Sequence, residues 1–186
     1  MSHPARACNL AQLLRQTAAL HPDRPGLIQG ERQWTWGQID RRVDALVAAL
    51  RSLGIGRGDR LLVQSRNTPA MFESCWVAFR LGAVWVPVNF RLTPPEVAAL
   101  GVSSGAVAML ADDGFEAHVA AVRAASPALG LVVGMGGGRP GAPDWEALVA
   151  AHLGAQPPEA VVEADDPLSI IYTSGTTGRP KGGMLT

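Results

Sequence analysis

The sequence predicts an α/β protein: a layered, mainly parallel sheet with flanking helices. Three observations carry that prediction. Short apolar or β-branched runs alternate at least four times with helix-period segments through short connections, the pattern of parallel strands joined by crossover helices. The run at 83–88 is apolar throughout, as in a strand covered on both faces. The amphipathic segments start and stop on recognisable caps, so the elements can be bounded one by one.

Asn9 caps a first helix whose apolar face uses Leu10, Leu13, Leu14 and Thr17 and which ends before His21-Pro22. Leu27-Ile28 and Gln33-Trp34 read as two short strands around a turn at Gly30-Glu31. Thr35 and Gln38 form a capping box for a long helix with the core stripe Ile39, Val43, Leu46, Val47 and Leu50, closed by Gly54. A turn at 56–59 leads to a strand at 61–63. Thr68-Pro69 opens a helix that turns Phe72, Trp76 and Phe79 inward and ends at Gly82. The strand at 83–88 contains Pro87, which must lie where the ladder needs no donor. Thr93 and Glu96 make a second capping box before a helix at 97–100. A strand at 107–110, a helix at 115–124, a strand at 131–133, a glycine-rich loop at 134–143 and a helix at 144–152 follow. A polar connector at 154–166 then leads to a β-branched strand at 168–172.

At 186 residues, with 47% hydrophobic and 17% charged residues, the chain can bury a sizeable core as one domain or one domain and part of another. Its formal net charge is zero and its arginines are dispersed among acids, so no nucleic-acid partner is expected. Two cysteines, Cys8 and Cys75, make no disulfide framework, and Cys75 in an apolar helix reads as a buried thiol. The four histidines, His3, His21, His118 and His152, lack metal-ligand spacing and read as surface or helix-end residues. Residues 9–20 carry arginine within an amphipathic pattern, unlike a signal peptide, and the apolar stretch at 81–88 is too short for a membrane span. A cytoplasmic location is expected.

The chemistry concentrates at the end of the chain. Lys181 is the only lysine, against fifteen arginines, and it lies in the run Tyr172-Thr173-Ser174-Gly175-Thr176-Thr177-Gly178-Arg179-Pro180-Lys181-Gly182. Glycines let a backbone turn with its amides approached closely, and the hydroxyls of Thr173, Ser174, Thr176 and Thr177 can donate to anionic oxygens. Lysine adds a compact point charge where arginine would impose a planar fork. This is equipment for gripping a polyphosphate. The spacing is not that of a P-loop, which needs lysine directly after its second glycine and a helix beyond it. Here Pro180 precedes the lysine and Gly182 follows it.

The run resembles, nearly letter for letter, the phosphate-binding signature of the adenylate-forming enzymes: AMP-forming acyl- and aryl-CoA synthetases, with luciferases and peptide-synthetase adenylation domains as relatives. Gly183 departs from the Val or Ala usual there and weakens the strand leaving the loop. Three further segments support the resemblance: Trp34-Thr35-Trp36-Gly37-Gln38-Ile39, Gly56-Arg57-Gly58-Asp59-Arg60, and 81–92 with its Gly82-Ala83-Val84 and Pro87-Val88-Asn89. The last, running into Thr93-Pro94-Pro95-Glu96, leans toward acyl-CoA synthetases. The resemblance implies an N-terminal portion of such an enzyme, an α/β subdomain over 1–164 with 165–186 opening the next. It implies ATP and Mg2+ as cofactors, coenzyme A as co-substrate and a carboxylic acid as substrate. Thr173, Ser174, Gly175, Thr176, Thr177, Gly178 and Lys181 are implied to hold the phosphates, with Thr173 also approaching the metal and Tyr172 and Arg179 fixing the loop. The chain alone is expected to be inactive. A stand-alone phosphate-binding module is the alternative. A dinucleotide oxidoreductase is a third reading, because Gly136, Gly138 and Gly141 match a G-x-G-x-x-G pattern, but Pro140 and Pro143 remove amides that a pyrophosphate would need.

Overall fold

The computed structural model describes residues 9–173 and 181–186. After α1 (Ala11–Leu20), an antiparallel hairpin of β1 (Pro25–Gln29) and β2 (Arg32–Thr35) delivers the chain into α2 (Trp36–Ser52). The capping box at its start is present in full: the Gln38 amide donates to Thr35 Oγ1 at 3.2 Å and the Thr35 amide to Gln38 Oε1 at 2.8 Å. Ile39, Val43, Leu46, Val47 and Leu50 are all fully buried, as their spacing predicts. Then come β3 (Arg60–Gln64), α3 (Pro69–Leu81), β4 (Val84–Val88), α4 (Pro94–Ser104), β5 (Ala108–Ala111), α5 (Glu116–Ala125), β6 (Leu131–Gly134), α6 (Trp145–His152), β7 (Ser169–Thr173) and β8 (Lys181–Leu185).

The six-stranded sheet has the order β6-β5-β3-β4-β7-β8; all its pairings are parallel except β7 with β8. Alternation along its strands splits the interior into two cores. Leu61 and Val63 of β3 pack with α1, α2, α3 and α6, whereas Leu62, with Val84, Val86 and Val88 of β4, packs with α4 and α5. The result is a three-layer α/β/α arrangement. Gly101 sets the spacing of the second helical layer: a Cβ there would lie 2.9 Å from Val122 Cγ1, so a larger residue would push α4 off α5. From β3 the chain steps to β4 on one side and then returns past β3 to lay β5 on the other. The connections leaving β3 and β5 therefore diverge to opposite faces of the sheet.

Four expectations are corrected. Leu14 is buried as expected but Leu13 is 50% exposed; α1 buries Ala11 and Ala18 in its place, small residues that let it lie close to α2 and α3. Phe72 and Trp76 form a half-buried edge-to-face aromatic row with Phe79, while α3 buries Glu73, Ser74 and Arg80. The 97–100 helix extends as α4 to Ser104. In β4, Trp85 and Pro87 are only half-buried, so one face of this strand lacks full cover.

Long-range charge pairs explain the polar face of α3. Arg80, with no solvent exposure, donates to Asp40 Oδ1 at 2.6 Å and Asp44 Oδ1 at 2.7 Å on α2. Arg15 reaches the same Asp44 at 3.0 Å and Glu159 at 3.2 Å, tying α1 and the connector to the pair. Glu73 is gripped by Arg42 of α2 and accepts the Trp145 indole N–H of α6 at 2.9 Å. Arg42 also holds Glu146 at 2.7 Å, and that hydrogen bond keeps the Glu146 carboxyl below the usual carboxylate range.

Candidate functional site

The Thr/Gly/Lys motif runs between β7 and β8. The two strands pair in register, Ile170 with Met184, Tyr172 with Gly182 and Thr173 with Lys181. Thr173 and Lys181 thus close the last described pair of the hairpin, both exposed. Directly opposite residues share a face of the sheet with Cβ atoms about 5 Å apart, so the Thr173 and Lys181 side chains leave the same face. Lys181 stands on a strand, not at a helix start, as the spacing predicts. Of the residues expected to hold phosphate, Ser174, Gly175, Thr176, Thr177 and Gly178 lie outside the described residues, as does Arg179. Among the described residues, no group of three or more His, Cys, Asp or Glu side chains could hold a metal ion.

The motif's last glycine has a steric reason. A Cβ at Gly182 would lie 2.9 Å from Ile170 Cγ2 and 3.1 Å from Tyr172 Cε1, because the Tyr172 ring covers the bare backbone of β8. Tyr172 and Ile170 in turn pack on the core of α4 and α5. Sequence reading assigned Tyr172 to fixing the loop but missed Gly182 as its counterpart; the signal lay in cross-strand register, which needs the length of the hairpin. Gly183 differs. Its Cβ would meet only the Ile171 carbonyl oxygen, at 3.8 Å, so the strand runs through this glycine without a packing requirement for it. Gly182→Ala is expected to lower stability by about 1–3 kcal/mol through overpacking. Gly183→Ala is expected to raise it by about 0.5 kcal/mol, since glycine there only adds freedom to the unfolded chain. Paired urea melts check both; equal effects would contradict the packing of Tyr172 on Gly182.

Other candidates fall to structural roles. Cys75 Sγ donates to the Phe72 carbonyl at 3.0 Å, and burial pushes its thiol up to about 12, leaving it protonated and inert; Cys8 lies outside the described residues. His118 bonds the Leu92 carbonyl at 2.8 Å, and His152 the Leu148 carbonyl at 3.1 Å. In the Gly136-Gly138-Gly141 loop, Gly136 and Gly137 lie against the Asp113 carboxylate, so the loop backbone faces an acid where a dinucleotide fingerprint would turn its amides on a pyrophosphate. The Asp144 side chain, capping α6 by accepting from Ala147 N at 2.9 Å, adds a second carboxylate where that ligand would need amides.

A mainly parallel sheet lies between helical layers and ends in the β7–β8 hairpin that carries Thr173 and Lys181. The sequence model of the AMP-binding enzyme family matches residues 14–186, and the chain belongs to this family. A feruloyl-CoA synthase of Amycolatopsis sp. is 35% identical over 169 residues, 91% of this chain and 31% of that protein. The fatty acid–[acyl-carrier-protein] ligase ScoC of Streptomyces coeruleorubidus is 33% identical over 178 residues, 94% of this chain and 33% of its own length. Among solved structures, Mycobacterium smegmatis MbtA superposes with a TM-score of 0.89 at 28% identity, covering 97% of this chain and 34% of MbtA. The chain thus spans about a third of the length of the curated relatives it matches. Among the described residues, no helix is long and apolar enough to cross a membrane.

Proposed function

We propose that the chain is the N-terminal segment of an AMP-forming acyl-CoA synthetase. The parent enzyme joins a carboxylate to the α-phosphorus of ATP, releasing pyrophosphate, and the thiol of coenzyme A then displaces AMP from the acyl-adenylate to give the thioester. The observation that carries this reading is the register of Thr173 opposite Lys181 across the motif of the family. In this reading Lys181 and the hydroxyls of Thr173, Ser174, Thr176 and Thr177 neutralise charge on the β- and γ-phosphates as pyrophosphate departs, and Gly175 and Gly178 let the backbone approach them. Magnesium keeps most of its coordination for water and phosphate oxygens, so one exposed hydroxyl at Thr173 fits as a protein contact; the bound ion supplies charge neutralisation at the phosphates. The segment 165–186 would open a second subdomain. Its attachment to the first supports this, because β7 is stitched to β4 only around Trp85 and Ser169.

The test is acid-dependent exchange of labelled pyrophosphate into ATP by the longer protein. Exchange should require a carboxylic acid and no coenzyme A, and AMP release should then follow addition of coenzyme A. Binding of ATP with no exchange across aliphatic and aromatic acids would instead favour a non-catalytic phosphate-binding module. The chain of 186 residues by itself should form no thioester. Detectable ATP- and CoA-dependent thioester from it would contradict that part of the reading.

A further inference from the structure

We propose that the cleft at the carboxyl ends of β3, β5 and β6 is a second ligand site that takes a nucleoside monophosphate, its phosphate on Arg66 and Arg32 and its ribose on Asp113. In open α/β sheets, ligands bind outside the carboxyl ends of the strands where the winding reverses, and here that point lies between β3 and β5. The phosphate-loop hairpin is elsewhere, since β7 lies beyond β4. The cleft has a volume of about 380 Å³. That is within the roughly 300–1,000 Å³ of small-molecule sites. Arg66 comes from the loop after β3, Asp113 from the loop after β5, Gly136 and Gly137 from the loop after β6, and Arg32 from the β1–β2 hairpin.

The cleft's two arginines are held by aromatic rings; Glu146, which also lines it and feels the charge of Arg32, is bound to Arg42 at 2.7 Å. The Arg66 guanidinium lies over the Phe115 ring, 5.0 Å from its centroid, with a 3.4 Å hydrogen bond to the Asp113 carbonyl. Arg32 lies 4.8 Å over Trp34. Neither forms an ion pair among the described residues, unlike Arg139 nearby, which is paired with Glu116 at 3.5 Å and donates to the Asp112 carbonyl. Stacking fixes a guanidinium plane and leaves its N–H edges to an anion. The carboxylates divide in the same way. Asp112 is buried and its Oδ2 is taken by the Ser65 hydroxyl and the Arg66 amide, so it shapes the loop. Asp113 is exposed, and Gly136 and Gly137 leave room for its carboxylate, where a side chain on Gly137 would collide with it. Guanidiniums for a phosphate, a free carboxylate for hydroxyl donors and a pocket of this size together match a nucleoside monophosphate better than a bare anion, which would leave Asp113 unpaired and repelling.

The inference rests on the proposed function only for the choice of probe: an adenylating enzyme releases AMP. The ¹⁵N-labelled chain is titrated with AMP, adenosine and inorganic phosphate. AMP should move the amide signals of Arg66, Ala70, Asp113 and Gly137, with adenosine and phosphate each weaker by roughly tenfold or more. Arg66→Ala should weaken AMP by roughly tenfold or more, the loss of a charged hydrogen bond. Because that change also removes the contact with Phe115, Arg32→Ala, on a separate hairpin, should weaken AMP in the same direction. Asp113→Asn should weaken AMP but not phosphate. The site is wrong if AMP leaves those signals unmoved, if phosphate binds as well as AMP, or if neither arginine matters. Shifts confined to Thr173 and 181–185 would likewise overturn the cleft while leaving the proposed function standing. Cleft shifts from a protein whose longer form shows no pyrophosphate exchange would support the cleft and remove the proposed function.

Discussion

Arg80→Ala is expected to destabilise the chain by about 3–5 kcal/mol, the cost of breaking a buried pair and stranding its partners. Arg80 has no exposed surface and bridges Asp40 and Asp44, which are themselves largely covered. Alanine would leave a cavity and two carboxylates facing it, with Arg15 at 3.0 Å the remaining partner of Asp44. Arg80→Met refills much of the volume and should recover little, because the stranded charge dominates. Replacing Arg80, Asp40 and Asp44 together by apolar residues should recover much more, since a buried ion pair is often no better than a well-packed apolar substitute. The Arg80 Nε is buried without a partner, which strengthens that expectation: the network is not fully satisfied. Urea unfolding of the three variants tests this. A loss below about 1 kcal/mol for Arg80→Ala would mean that the pair behaves like a surface bridge.

In the proposed parent enzyme, Lys181→Ala should lower the rate of adenylation by roughly a hundredfold, or about 3 kcal/mol, the typical effect of deleting one preorganised electrostatic contact. Lys181 pairs with Thr173 at the mouth of the β7–β8 hairpin, and in the proposed reading charge gathers there on departing pyrophosphate more than on bound ATP. The loss should therefore appear mainly in kcat. Lys181→Arg should not fully restore it, because a planar fork replaces a point charge next to the Gly182 backbone that Tyr172 covers. Arg179→Ala should be mild. Pyrophosphate release at saturating ATP and acid compares the three. Equal losses for Lys181→Ala and Arg179→Ala would refute the assigned roles.

What was legible in the sequence was mostly local. Thr35 with Gln38 and Thr93 with Glu96 announce helices because both partners sit three residues apart, and the α2 stripe announces its buried face by period alone. The motif at 172–182 announces the family, because one unbroken run matches its signature, and the family model matches residues 14–186. Contacts distant in sequence stayed hidden. Arg80 and Glu73 look like surface charges until Asp44, 36 residues away, and Arg42, 31 residues away, are brought to them. Leu13 misled because its hydrophobicity outweighs that of Ala11 and Ala18, although the alanines permit closer packing. The cleft between β3 and β5 left one partial signal, the glycine-rich loop at Gly136, while its charged residues come from separate loops that only the strand order gathers.

Pro87 was expected where the ladder needs no donor, yet β4 is an interior strand. The resolution lies in which neighbour it faces. The Val84 amide donates toward β3, to Asp59, and the Trp85 amide toward β7, to Leu168, so the amide missing at Pro87 is one that would have faced β7. Pairing between β4 and β7 accordingly stops at Trp85 and Ser169. Mechanically, the β7–β8 hairpin is a lever and Ser169 its fulcrum. Four residues of strand carry Thr173 roughly 13 Å beyond that point. A tilt of only about 5° there displaces the lever's tip by about 1 Å, the scale of misplacement that costs a reaction orders of magnitude. One absent N–H in β4 thus leaves the aim of Thr173 to the packing of Ile170 and Tyr172 on the α4 and α5 core.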